Sequence, residues 1–421
     1  MSQDMISVDE ARRRTIELAS QARFRMPVEK VDLFAAVGRV AAADLTSDID
    51  VSPFDNTAMD GFAVVSSSLE NASEEVPVEL EIVDWVGAGV VSQVTLAPGQ
   101  AIRIMTGGIM PEGADAVVKI EDTTFTGDGG VGERVRICAP VTKTNVRKAG
   151  EEAKAGDVVV RAGEVIRAAT VGLLASTGNT VIPVYARPKV GVISIGTELV
   201  KPPAKPEPGK IRDANAYVLG AYALEMGCEV ELYPIVEDDE AAIRSLFERA
   251  IAECDFVVSS GGASNGDFDY AIETVRELGE VVFDCVSLKP GKAQAFGCVE
   301  DTLVEVLSGN PAAAAVGFQL FGRPALRAIQ GFRELDRPAS KAVLAQPTRK
   351  KEARAFFQRG HLELGEDGQL LACQEEKQSS ALLSEMNRST VLIELPQGTG
   401  TFEAGTPVKC LHLDIDEGTV I

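Results

Sequence analysis

The chain has 421 residues, with 63 Asp and Glu against 41 Lys and Arg, a formal net charge of −22 and only two histidines, His361 and His412. That excess of acid argues against long-range attraction to nucleic acid or to an anionic membrane surface. The shortage of histidine argues against Ser-His-Asp triads and His-built zinc sites over most of the chain. No window approaches the roughly 18 apolar residues of a membrane helix. The N-terminal stretch MSQDMISVDEARRR has no apolar signal core, and the seven cysteines are scattered with no CxxC pair. The expectation is a cytoplasmic chain of roughly three domains with free thiols, whose chemistry rests on carboxylates, lysines, hydroxyls, backbone amides or a hard metal ion.

Taken in chain order, Ser7-Val8-Asp9-Glu10 reads as a capping box that opens a helix running to about residue 22. A short second helix is predicted around Asp32–Ala43. From about 46 to 149 the texture changes to short β-type runs, VPVELEIV, QAIRIM, DAVVKI and RVRICAP, separated by Gly, Pro and Asp. Residues 150–185 return to mixed helix and strand, with a helical stretch near Ala168–Ser176. From Lys189 strands and helices alternate: KVGVISI, NAYVLGAYALEM, EVELYPIV, EAAIRSLFERAIAE, DFVVSS, a helix at about 268–278, the strands VVFDCVSL, QAFGCV and TLVEVLS, and a helix from Pro311. Continuous apolar strands between helices of this length indicate a doubly wound, mainly parallel sheet. After about 335 the chain is β-like again, with a GEDG turn and the runs STVLIEL and PVKCLHLDI. The proline-rich KPPAKPEPGK at 201–210 reads as a surface loop.

Gly127, Gly129 and Gly132 fit G-x-G-x-x-G, but a strand follows and no βαβ unit surrounds them, so a hairpin loop is expected. The α/β segment carries more. Four polar, Gly-rich stretches follow predicted strands: Ser194-Ile-Gly-Thr-Glu198, Ser259-Ser-Gly261-Gly262-Ala-Ser264-Asn-Gly-Asp267-Phe-Asp269, Lys289-Pro-Gly-Lys292 and Ser308-Gly309-Asn310-Pro311. Ligands of open α/β sheets bind outside the carboxyl ends of strands, so four such loops on one edge converge on one pocket. Backbone amides beside glycine, Ser and Asn donors, Lys289 and Lys292, and the helix N-terminus after Asn310 suit a phosphate-type anion. Glu198, Asp213, Asp238 and Asp269 stand near the same edge and could hold Mg²⁺, which prefers oxygen ligands and substrate phosphates. Turn chemistry alone also explains an isolated acid there, Asp239 and Asp267 among them.

The segments SPFDNTAMDGFAV, IRIMTGGIMPEGADAVV, NVRKAGEE, IGTEL, IRDAN, SSGGASNGDFDY, KPGK and SGNP, in this order and spacing, make the chain resemble the molybdopterin molybdotransferases, the MoeA and gephyrin E-domain family, along nearly its whole length. The resemblance implies an α/β multidomain fold. It has a discontinuous linker domain (1–45 and 150–185), a β-rich insertion (46–149), a doubly wound, mainly parallel molybdopterin-binding α/β domain (186–335) and a small C-terminal β-barrel-like domain (336–421). It implies a homodimer whose cleft lies between the α/β domain of one subunit and the insertion of the other. The implied reaction is Mg²⁺-dependent insertion of molybdenum from molybdate into adenylylated molybdopterin with release of AMP. Position by position, Asp60 and Thr106 belong to the insertion's side of the cleft. Glu198, Asp238 and Asp269 are the acids of the α/β side and candidate Mg²⁺ ligands. Lys289, Lys292, Gly261, Gly262, Ser264, Ser308, Gly309, Asn310, Pro311 and Glu152 are implied to bind substrate. The sequence departs from the family pattern at Ala149 and Glu152, Thr197, Gln294 and Ser308. These departures leave open a weakly catalytic molybdopterin carrier or scaffold, and tungstate in place of molybdate.

Overall fold

In the computed structural model the described residues are 5–262 and 270–415. Asp267, Asp269 and Ser264 lie outside them. Helix Val8–Ala19 begins where predicted: Ser7 is extended and its side chain accepts a hydrogen bond from the Glu10 N–H at 3.1 Å. Its apolar face enters the core of the α/β sheet beside helix Gly322–Ile329, together with Phe24 and Met26. The predicted helix over Asp32–Ala43 is absent. Asp32 ends the strand Val28–Asp32, and its carboxylate accepts from the Phe34 and Ala35 N–H groups at 2.9 and 3.0 Å. That closes a turn in place of a helical start, since Asp competes locally for backbone donors. Val40 and Ala41 then bridge to Val165 and Val184.

Strand Val28–Asp32 pairs antiparallel with Val181–Tyr185, and Leu45–Thr46 with Val158–Val160. Ala36, Ala41, Leu45, Val160, Ile166, Leu174, Ile182 and Val184 form their common core. Residues 8–46 therefore serve two cores: 8–26 pack into the α/β unit, and 28–46 join 158–185.

Between these halves a six-stranded sheet runs in the order Ala116–Lys119, Gly61–Val64, Gln100–Ile104, Val78–Val86, Arg134–Ile137, Thr123–Phe125. Phe62, Val64, Leu80, Ile82 and Val135 are fully buried on it. Gly127, Gly129 and Gly132 sit in the loop between the antiparallel partners Thr123–Phe125 and Arg134–Ile137, the hairpin expected.

The α/β sheet has the order Glu229–Leu232, Lys189–Ser194, Phe256–Ser260, Thr302–Leu307, Ala293–Val299, Glu280–Cys285. The first four strands are parallel, and Ala293–Val299 alone runs against the rest. Its central strands are buried along nearly their whole length, which is why they read as mainly apolar runs. Beyond 335, strands Ala339–Leu344, Ala355–Leu364, Leu370–Gln374, Val391–Leu395 and Pro407–His412 form a sheet that the Ala355–Leu364 to Val391–Leu395 pairing closes on itself. No helix among the described residues is long and apolar enough to cross a membrane.

Candidate active site

The parallel strands deliver their loops to one edge. Ile195 N–H reaches the Ser260 carbonyl at 2.9 Å, and Gly261 N–H reaches the Leu307 carbonyl at 3.1 Å. The ends of three neighbouring strands are thus laced together. Gly261 has φ +94°, and a Cβ there would lie 2.1 Å from the Ile195 carbonyl oxygen, so only glycine fits. Buried Asn215 ties the layer from below, donating to Ser260 Oγ at 2.5 Å and to the Gly309 carbonyl at 2.9 Å. Its Oδ1 and the hydroxyls of Ser194 and Ser259 are buried without a partner among the described residues.

Asp238 comes from the loop after Glu229–Leu232 and accepts from both the Thr197 N–H (3.0 Å) and hydroxyl (2.9 Å). Thr197, a departure from the family pattern, is therefore the residue that orients Asp238. Lys210, from the proline-rich loop, donates to the Thr197 carbonyl at 2.5 Å. Glu198 is exposed beside it. Asp213 is buried and turned inward, accepting from the Ala216 N–H at 3.1 Å at the start of helix Asn215–Glu225. Asp239 is a helix cap, accepting from the Ala242 N–H. Oxygen donors from Glu198 and Asp238 suit a hard divalent ion. Among the described residues these acids do not gather into a set of three.

On the other flank Lys289 donates to Glu352 at 2.8 Å and sits over the Phe356 ring at 4.8 Å. Lys289 first and Arg354 second hold the Glu352 carboxyl down at about 2. Lys292 is exposed. Gln294, where the family pattern carries an aromatic, is buried and donates to the Gly291 carbonyl at 2.6 Å, bracing the 289–292 loop from inside. Ser308 Oγ accepts from the Asn310 N–H at 3.3 Å. The helix from Pro311 is a weaker anion seat than predicted. Pro311 has no N–H, the Ala312 N–H is taken by the Ser380 carbonyl at 2.8 Å, and the Asn310 side chain makes no cap bond.

Asp60 and Thr106 form a separate group. Asp60 Oδ1 accepts from the Thr106 N–H at 2.6 Å and hydroxyl at 2.7 Å, and these bonds hold the Asp60 carboxyl below the usual carboxylate range. Nearby Asp55 is lowered by Lys148 Nζ at 2.7 Å and by the Ala149 N–H at 2.9 Å. Glu152 is exposed, its backbone N–H bonded to the Val51 carbonyl. Among the described residues no hydrogen bond joins the Asp60–Thr106 pair or Glu152 to the sheet-edge loops of the same chain. A cavity of about 860 Å³ elsewhere, lined by Arg39, Arg167, Arg187 and Arg327, contains none of the predicted site residues.

Asn215, Lys210 and Glu352 were missed by the sequence reading. Asn215 lies in the IRDAN stretch, where only Asp213 drew notice. The other two act through partners 13 and 63 residues away, which spacing does not reveal.

Three family models match in order: the MoeA N-terminal region (domain I and II) over residues 6–178, a probable molybdopterin binding domain over 191–328, and the MoeA C-terminal region (domain IV) over 341–413. The molybdopterin molybdenumtransferase of Bacillus subtilis is 36% identical over 418 residues, 98% of this chain and 95% of that protein. The chain belongs to the molybdopterin molybdenumtransferase family. That of Haemophilus influenzae is 34% identical across 96% of this chain and 98% of its own. A crystal structure described as the molybdopterin biosynthesis MoeA protein of Pyrococcus horikoshii superposes with a TM-score of 0.81 at 29% identity, covering 97% of this chain and all of that one. The α/β multidomain architecture is that of the family, and the protein is a transferase of molybdenum cofactor biosynthesis.

Proposed function

We propose that the carboxyl edge of the α/β sheet binds adenylylated molybdopterin, and that molybdenum from molybdate is inserted there with Mg²⁺ dependence and release of AMP. The observation that carries this reading is the convergence of the 194–198, 261–262, 289–292 and 308–311 loops on one edge, locked by the Gly261, Asn215 and Thr197 contacts. Backbone amides at Gly262 and Gly309 offer donors to phosphate oxygens without side-chain bulk. Lys289 and Lys292 add positive charge where the departing phosphate gains negative charge. Glu198 and Asp238 would hold Mg²⁺, which when bound neutralises phosphate charge. Thr197 keeps one Asp238 oxygen occupied and so fixes where the other points. No protein nucleophile is needed, in keeping with a chain of two histidines. Asp269 and Ser264 belong to this proposal through the family pattern, as does Glu152.

The Asp60–Thr106 pair, separate from the edge within one chain, supports a homodimer in which the insertion of one subunit (46–149) closes the edge of the other (186–335), in the cytoplasm. Asp60, held ionised by Thr106, then faces the reacting phosphate and oxyanion from across the cleft.

Purified protein given adenylylated molybdopterin, Mg²⁺ and molybdate should release AMP, and a parallel reaction with tungstate tests whether the site distinguishes the two isosteric oxyanions. Tight pterin binding with no AMP released under either oxyanion would overturn the proposed reaction.

A further inference from the structure

The C-terminal sheet carries a group that the transferase chemistry does not use. His361 and Cys373 face each other across the antiparallel pair Ala355–Leu364 and Leu370–Gln374. Glu363 is two residues beyond His361, and Glu375 two beyond Cys373. Side chains alternate across a strand, so all four project from one face of this hairpin. Leu362 and Ala372, one residue out of step, belong to the core beneath. The outer face thus reads H-x-E on one strand and C-x-E on the next, a pattern that the turn at 365–368 folds together.

We propose that His361, Glu363 and Cys373 form a zinc site, with Glu375 orienting the imidazole. The ligand atoms of the first three lie within 4.8 Å of one another. Zinc–nitrogen and zinc–sulfur bonds of about 2.0–2.3 Å put neighbouring ligands of a tetrahedral ion about 3.3–3.8 Å apart. Closing the remainder takes about 1 Å of side-chain rotation on an open surface, where the His361 side chain is 41% and the Glu363 side chain 60% exposed. The two imidazole nitrogens are already divided between different carboxylates. Nε2 is 3.2 Å from Glu363 Oε1, and Nδ1 is 3.5 Å from Glu375 Oε1. A metal on Nε2, shared with Glu363 and Cys373, leaves the Nδ1 proton to Glu375. A carboxylate behind a ligating histidine sets its tautomer and ring plane in this way. Glu375 is suited to that role because its side chain is only 15% exposed and is held by the strand end, its N–H bonded to the Arg359 carbonyl at 2.9 Å.

The donor set selects the ion. Mg²⁺ and Ca²⁺ take oxygen ligands, whereas a thiolate with imidazole and one carboxylate suits zinc. Three protein ligands leave a fourth position for water. A surface ion pair between His361 and the two glutamates would have no need of Cys373, so the thiol distinguishes the two readings.

Cobalt(II) is the probe. Untagged full-length protein, reduced and stripped of metal, should take up one equivalent of Co²⁺ with a thiolate-to-metal charge-transfer band and intense four-coordinate visible bands, and Zn²⁺ should displace it. Cys373→Ser should abolish the charge-transfer band, and His361→Ala should abolish binding. Glu375→Gln should keep the band and weaken Co²⁺ binding about ten- to hundredfold. Because all four side chains lie on the outer face, far-ultraviolet circular dichroism should be unchanged in each variant. A wild-type protein without a thiolate band, or a Cys373→Ser protein that keeps it, would overturn the proposal.

Discussion

Replacing Gly261 by alanine probes the lacing of the sheet edge directly. The new Cβ would lie 2.1 Å from the Ile195 carbonyl oxygen, and real Cβ contacts begin near 3.0 Å, so the backbone must yield by the difference, 0.9 Å. The residue would also keep φ +94°, at a strain of about 1–2 kcal/mol for a side-chain-bearing residue. Ile195 leads into Thr197 and Glu198, and Gly261 itself lies against Gly309, so the displacement falls on the proposed phosphate seat. A misplacement of about 1 Å costs about a hundredfold in rate, or about 2.7 kcal/mol of barrier. The expected result is AMP release slowed about a hundredfold, with unfolding in urea shifted by about 1–3 kcal/mol. Gly309→Ala is the control for stability, because its nearest heavy atom would be 3.8 Å away, an ordinary contact. Gly261→Ala with wild-type turnover and wild-type unfolding would refute the reasoning that this close approach shapes the site.

Asp60→Asn keeps the acceptor for Thr106 and removes the charge, so the melting temperature should hold while AMP release falls at least tenfold, measured with both oxyanions. Glu352→Gln removes a negative charge beside Lys289. The exposed pair is worth about 0–1 kcal/mol to stability, so unfolding should barely change while the Kd for adenylylated molybdopterin, measured by titration at low salt, falls several-fold. Glu305 is fully buried on the central strand Thr302–Leu307, and burial raises its carboxyl from 4.5 to about 8. The fold keeps a proton that the unfolded chain gives up, so this stability is complete below 4.5 and lost as pH rises through about 8. Glu305→Gln should therefore gain on the wild type by on the order of 3 kcal/mol between pH 4.5 and 7, read from urea unfolding at each pH. Parallel curves would remove Glu305 from that account.

The α/β sheet was legible because its signal is local. Strands such as Phe256–Ser260 are buried throughout and open on an apolar run, and Ser7 announces its helix one residue ahead. The convergence of the Gly-rich loops followed from strand direction alone. What the sequence concealed depends on distant partners. Asp32–Ala43 has helical composition, but Asp32 turns on its own neighbours and Val40 and Ala41 are drawn to strands more than a hundred residues on. The free helix N-terminus after Asn310 was a fair reading of Asn-Pro, yet Ser380 closes part of it from the C-terminal unit. Asp60 and Thr106 stand 46 residues apart and came only with the resemblance.

The run from Glu280 to Lys289 changes sheets: Glu280–Cys285 belongs to the α/β sheet, and Leu288–Lys289 pairs with Ala355 and Phe356 of the C-terminal sheet. On the ribosome every strand of the α/β sheet is made by Leu307, yet its core also takes Phe357, Met386 and Leu392 from the C-terminal unit. The lysine loop cannot take its final form until Glu352 and Ala355 follow, 63 and 67 residues behind their partners. The last part of the chain to be made is thus a finishing piece of the ligand edge. A premature stop after 335 would leave both the lysine loop and the flank of the α/β core that Phe357 and Leu392 cover unfinished.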